Sequence, residues 1–131
     1  MDRSDSTEDS AFERGSAMMR RVYGDAVPVP PEGAMAFSDV MVRSLFAEVW
    51  DRDVLSIRDR RLLIMGVIAA SGATDVWALQ VRAALDNGEL TPEELRETLV
   101  ILAPYAGYPL VAPLVGVCEE AISAWSEASG G

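Results

Sequence analysis

The side chains able to do chemistry fall into three groups: Arg58, Arg60 and Arg61 in one short stretch, Tyr105 and Tyr108 on either side of Gly107, and Glu48 and Trp50 just ahead of Asp51-Arg52-Asp53. A guanidinium holds a carboxylate by two parallel hydrogen bonds, so Arg58 and Arg61 are candidates to bind an anionic substrate. The same cations at a helix start oppose the helix dipole and call for carboxylates nearby. A salt-bridge network with Glu48, Asp51, Asp53 or a neighbouring subunit is the simpler account of them. Tyr105 and Tyr108 sit where irregular backbone often lines a cavity, and a phenol can donate to a developing enolate oxygen. The alternative is that Tyr-x-Gly-Tyr-Pro only packs a tight helix corner. Glu48 becomes a proton carrier if an apolar pocket raises its carboxyl, and Trp50, like Glu48, precedes the loop and can reach a cavity.

What is missing narrows the chemistry further. The 131 residues include no histidine and one cysteine, Cys118. Imidazole general bases and imidazole metal ligands are therefore excluded, and so is any Ser-His arrangement. No metal is expected: the methionines lack the His or Cys partners that thioether ligands normally accompany, and they read as core or interface filling. No glycine-rich phosphate loop is present.

Twenty-one acidic against eleven basic residues give a formal charge of -10, which repels phosphate backbones and anionic membranes. Neither nucleic acid nor a membrane is expected as a partner. A lone cysteine and an acidic start (Asp2, Asp5, Glu8, Asp9) predict a cytoplasmic protein. The uncharged run 98–118 is long enough to span a bilayer, but Pro104, Gly107, Pro109, Pro113 and Gly116 divide it into a buried helix-turn-helix. Half the residues are hydrophobic, a surplus that predicts burial between subunits.

The elements that must position these groups are helices. Residues 1–11 are polar and acidic and predict a disordered tail; a single domain is expected over 12–128. A short helix is expected over 11–23, then an extended Val27-Pro28-Val29-Pro30-Pro31 connector. Phe37, Val40, Met41, Leu45, Phe46 and Val49 recur at helical intervals and predict one buried stripe. Ser56 caps a helix whose second half is apolar all round and should be central; Thr74 caps the next, which Asn87-Gly88 stops. Thr91-Pro92-Glu93-Glu94 predicts a capping box and a helix running to the Tyr105–Pro109 turn, and 111–125 forms a last helix. No sustained period-two alternation appears, so the fold class is all-α.

The ordered pieces Glu48-Val49-Trp50-Asp51-Arg52, Arg58-Asp59-Arg60-Arg61-Leu62-Leu63-Ile64, Ala83-Ala84-Leu85-Asp86-Asn87-Gly88, Thr91-Pro92-Glu93-Glu94-Leu95 and Ala103-Pro104-Tyr105-Ala106-Gly107-Tyr108-Pro109 resemble the carboxymuconolactone decarboxylase family over about residues 12–125. The resemblance implies the alkylhydroperoxidase D-like fold, a bundle of about six helices assembling as a homotrimer or homohexamer. It also implies that the thiol pair and histidine of peroxidase-type members would fall at Ala73, Val76 and Gln80, none of which keeps the family residue. Thiol peroxidase chemistry is thereby excluded. Decarboxylase-type members keep the histidine, where Gln80 now stands. An amide can orient a substrate by hydrogen bonds but cannot shuttle a proton at neutral pH.

The expectation is a cofactor-independent lyase or isomerase acting on a small carbonyl- or carboxylate-bearing molecule through enolate stabilisation. Gln80, Tyr105 and Glu48 are its candidate catalytic residues, and Trp77, Tyr108, Arg58, Arg61 and Trp50 its candidate substrate-binding residues. Trp77 reads equally as a core residue, and the alternative for Gln80 is a satisfied polar group between helices. The alternative is a catalytically inactive oligomeric relative that binds a ligand or serves as a scaffold.

Overall fold

A computed structural model describes residues 3–130, with side chains from Ala11 onward. Its contacts divide the chain into two compact units, Met1–Leu55 and Ser56–Gly131. Among the described residues all regular structure is helical.

In the first unit, α1 (Arg3–Tyr23) begins well before the predicted position, inside the segment whose composition predicts a tail. Aspartate and glutamate near a helix start interact favourably with its dipole, which lets the helix propagate through this stretch. Residues 1 and 2 lie outside the described residues. Gly24, at a φ of 55°, ends α1, its N–H bonding Arg20 O at 2.7 Å. After the connector, α2 (Ala36–Val40) continues into π1 (Met41–Trp50), a π-helix.

The wider turn changes which residues face inward. Ser38, Val42, Phe46 and Trp50, spaced by four, are buried with Ala47. Of the stripe predicted from a 3.6 period, Phe46 is buried, whereas Phe37, Val40, Leu45 and Val49 are exposed. Apolar residues on both sides of the helix made the buried face ambiguous. The inward face packs on α1 so closely that a Cβ on Gly15 would collide with the Val42 carbonyl. Tyr23 meets Phe46 edge-on, ring centroids 6.1 Å apart, and Arg43 lies over the Phe12 ring while pairing with Glu32 at 2.7 Å.

The second unit contains α3 (Ile57–Ser71), α4 (Thr74–Asp86), α5 (Pro92–Ala106) and α6 (Tyr108–Ala128). Ser56 Oγ accepts the Asp59 N–H at 3.0 Å and starts α3. At α4 the cap position falls on Ala73, without a side-chain bond, and Thr74 is the first helical residue. The Thr91–Glu94 capping box forms as expected: Glu94 N to Thr91 Oγ1 at 3.1 Å and Thr91 N to Glu94 Oε1 at 3.0 Å.

Of the breakers counted in 98–118, only Gly107, at a φ of 108°, breaks the helical run. Pro104 sits in the last turn of α5 and Pro113 early in α6, where each forfeits one backbone bond without ending its helix. No helix of the described residues is long and apolar enough to cross a membrane. The core gathers Met65, Ala69, Trp77, Val81, Leu95, Leu99, Val111, Leu114 and Cys118. Helix α3 is not central throughout, because Leu63 and Val67 stay 62% and 70% exposed.

Candidate functional site

The first turns of α3 carry Arg58 and Arg61 on one side of the helix, facing the end of α4 and the loop into α5. Arg61 is fully buried and Gln80, two turns into α4, is 1% exposed. Arg61 Nη1 donates to Gln80 Oε1 at 2.7 Å. The other edge of the guanidinium holds Glu89 bidentately, Nε to Oε1 at 2.9 Å and Nη2 to Oε2 at 3.1 Å. Charge-assisted paired bonds of this kind are among the strongest polar contacts in proteins.

Glu89 itself is tied down. The Asn87 Nδ2 amide donates to its Oε2 at 2.9 Å, its backbone N–H reaches Ala84 O at 2.9 Å, and Arg58 Nε donates to its backbone carbonyl at 3.0 Å. Arg58 also pairs with Glu94 at 3.1 Å and with Asp59 at 3.7 Å. Both arginines proposed as substrate clamps are thus engaged by the chain's own carboxylates, Glu89 and Glu94 prominent among them. The cationic start of α3 calls for carboxylates, and within this unit Glu89 and Glu94 supply them. Glu89 follows Asn87-Gly88, a pair whose residue types signal a helix stop and not an ion-pair partner. Its signal was the cationic start of α3, which needs an acid, and the turn at Gly88, with a φ of 68°, which carries the next residue back toward that start.

Trp77 is completely buried in the core. Its indole N–H lies beside the Cys118 sulfur without closing a hydrogen bond. Burial and then the Glu119 carboxylate push the Cys118 thiol above its ordinary range, while the Trp77 N–H and Arg96 pull weakly the other way. A buried thiol held neutral is a poor nucleophile.

The tyrosines stand apart from this cluster: Tyr105 is 86% and Tyr108 66% exposed. Tyr108 lines an apolar groove of about 530 Å³ between α5 and α6 with Leu99, Val100, Val111 and Val115, closed at one end by the Arg96–Glu119 pair. That pair is bidentate too, at 2.8 and 2.9 Å. A smaller hollow of about 260 Å³ lies over Arg58, Leu62, Leu90 and Glu94. Glu48 and Trp50 belong to the first unit, where Glu48 is exposed and Trp50 is 6% exposed against its neighbours. Among the described residues no three His, Cys, Asp or Glu side chains gather in a way that would hold a metal ion.

The site therefore brings together Arg61, Gln80 and the unforeseen Glu89, at the position where the sequence resemblance places a histidine. Residues 36–120, which contain all three, match the carboxymuconolactone decarboxylase family. The chain belongs to that family. Curated relatives include the 4-carboxymuconolactone decarboxylase of Acinetobacter baylyi, 32% identical over 84 residues, covering 64% of this chain and 62% of the relative. The nitrosuccinic acid decarboxylase of Metarhizium robertsii is 28% identical over 109 residues, covering 83% of this chain and 73% of the relative. The chain thus spans less than two thirds of the Acinetobacter carboxymuconolactone decarboxylase family member.

Proposed function

We propose that this carboxymuconolactone decarboxylase family member is a cofactor-independent lyase that removes the carboxyl group of a small organic acid bearing a neighbouring carbonyl. The observation that carries this reading is the buried 2.7 Å bond from Arg61 to Gln80. By donating to Oε1, the guanidinium fixes the amide nitrogen as the donor end and polarises it, since hydrogen bonds in a low-dielectric interior strengthen one another. A preorganised N–H of that kind stabilises the oxyanion that forms when the carbon–carboxylate bond breaks, its electron pair moves to the carbonyl oxygen and carbon dioxide leaves. The resulting enolate carbon then takes a proton from water. Both relatives are named for decarboxylation of a small acid, which supports the same reaction class here.

Gln80 is 1% exposed, so substrate must displace side chains around it to reach the amide. The exposed apolar side chains Leu63 and Val67 on α3 and Val100 and Ile101 on α5 support assembly into a homo-oligomer, the homotrimer or homohexamer of the sequence expectation. The cytoplasmic setting belongs to the same proposal.

Carbon dioxide release from 4-carboxymuconolactone, nitrosuccinate and a panel of 3-keto acids tests the function. Turnover of at least one acid, lowered about a hundredfold by Gln80→Ala, is the expected result. No turnover, together with a ligand that raises the melting temperature, would establish the inactive binding relative instead.

A further inference from the structure

We propose that Glu89 is a positioning residue that sets the orientation of the Gln80 amide through Arg61, an inference that rests on Gln80 being the working donor. The geometry is directional. Glu89 takes the Nε/Nη2 edge of the guanidinium, and in a planar fork this aims Nη1 at Gln80 Oε1. Without the carboxylate, Arg61 would be a cation with 0% exposure that has lost its two-bond anionic partner. Desolvation would drive it toward water, and the Gln80 amide would lose the bond that distinguishes its oxygen from its nitrogen.

Glu89 is built to resist such movement. Its carboxylate is held by Asn87, its N–H by Ala84 O and its carbonyl by Arg58. Glu89 is thus fixed from both the α4–α5 turn and α3, and the turn is coupled to a buried amide through two consecutive bonds. A merely structural ion pair would not require the third corner, in which the same guanidinium also bonds the buried Gln80 amide.

The chain contains one glutamine and one asparagine, so the side-chain amide region of a ¹H–¹⁵N spectrum holds only Gln80 and Asn87. Gln80→Ala identifies the Gln80 pair. In the wild type this pair should resonate away from exposed amides. In Glu89→Gln, whose added amide pair is recognised by its absence from the wild type, the Gln80 pair should move toward exposed values and exchange with water about tenfold faster or more. Glu89→Asp should restore part of the shift. Asn87→Ala, which removes the amide bond to the carboxylate and keeps the carboxylate itself, should give a smaller shift in the same direction, and it serves if Glu89→Gln does not fold. A Gln80 pair unmoved in Glu89→Gln and Asn87→Ala overturns the proposal. With an acid that the wild type turns over, Glu89→Gln should lower kcat roughly ten- to a hundredfold with KM little changed. If the wild type turns over none, the functional reading fails while the spectra still decide the role of Glu89.

Discussion

Two arginine–glutamate pairs in this chain have nearly the same geometry and opposite surroundings. Arg61–Glu89 and Arg96–Glu119 are both two-bond forks with distances of 2.8 to 3.1 Å. The side chains of the first are 0% and 8% exposed, and those of the second 52% and 47%. Water screens the surface pair, so each partner keeps its hydration if the other is removed. The Arg61 side chain is 0% exposed, and removing the carboxylate takes its anionic partner from a buried cation. The difference teaches that bond geometry does not show which ion pair matters; burial, and what the guanidinium does with its remaining edge, decide it.

The largest effect should come from breaking one side of the buried pair. Glu89→Ala is expected to cost about 3–5 kcal/mol in denaturant unfolding, because the cation loses its partner in a low-dielectric site. The double variant Arg61→Met/Glu89→Leu should recover most of that loss, because it removes the charges together. If it leaves the protein as unstable as the single variant, packing rather than charge explains the site.

Thr91→Ala comes next, at about 1 kcal/mol, since it removes one bond of the capping box that sets where α5 starts. Labelling of Cys118 sharpens the contrast more finely. The thiol is buried and neutral, so a disulfide reagent should react only as the second unit opens, much faster in Glu89→Gln and only slightly faster in Glu119→Gln, where the neighbouring carboxylate that raises the thiol is gone.

The smallest effect belongs to the surface pair itself. The hydrogen bond from Arg96 holds the Glu119 carboxyl below its ordinary range, against a weaker opposing effect of burial. A carboxyl lowered in the folded state stabilises above its unfolded value and loses that contribution as pH falls through the folded one. Glu119→Gln should therefore change stability only slightly at neutral pH. Its slight deficit should shrink further in acid and in high salt.

The local signals of the sequence translated well where a single residue decides the backbone. Ser56, Gly24, Gly88 and the Thr91-Pro92-Glu93-Glu94 box stop or start helices as their chemistry requires, and the all-α class followed from the same pattern. Periodicity failed at π1, because a helix apolar on both faces does not declare its inward side and a π-helix turns more widely than the 3.6 template. The candidate site was legible at Arg61 and Gln80, a charge at a helix start and an amide at a family position. Their partner was not: Glu89 lies nine residues beyond Gln80 and 28 beyond Arg61, joined to them only by the turn at Gly88. Exposure was likewise invisible to residue type, and it sets Tyr105 and Tyr108 apart from the buried cluster.

The central claim is that Gln80 works by stabilising charge and transfers no proton. A pH–rate profile on whichever acid is turned over tests it most directly, for wild type and Gln80→His. A chain without histidine and with an amide at this position should give a kcat profile flat from about pH 5.5 to 8, and Gln80→His should introduce an inflection near pH 6.5. A wild-type profile with its own inflection in that range, retained in Gln80→Ala, would show that another group moves the proton and would contradict the account.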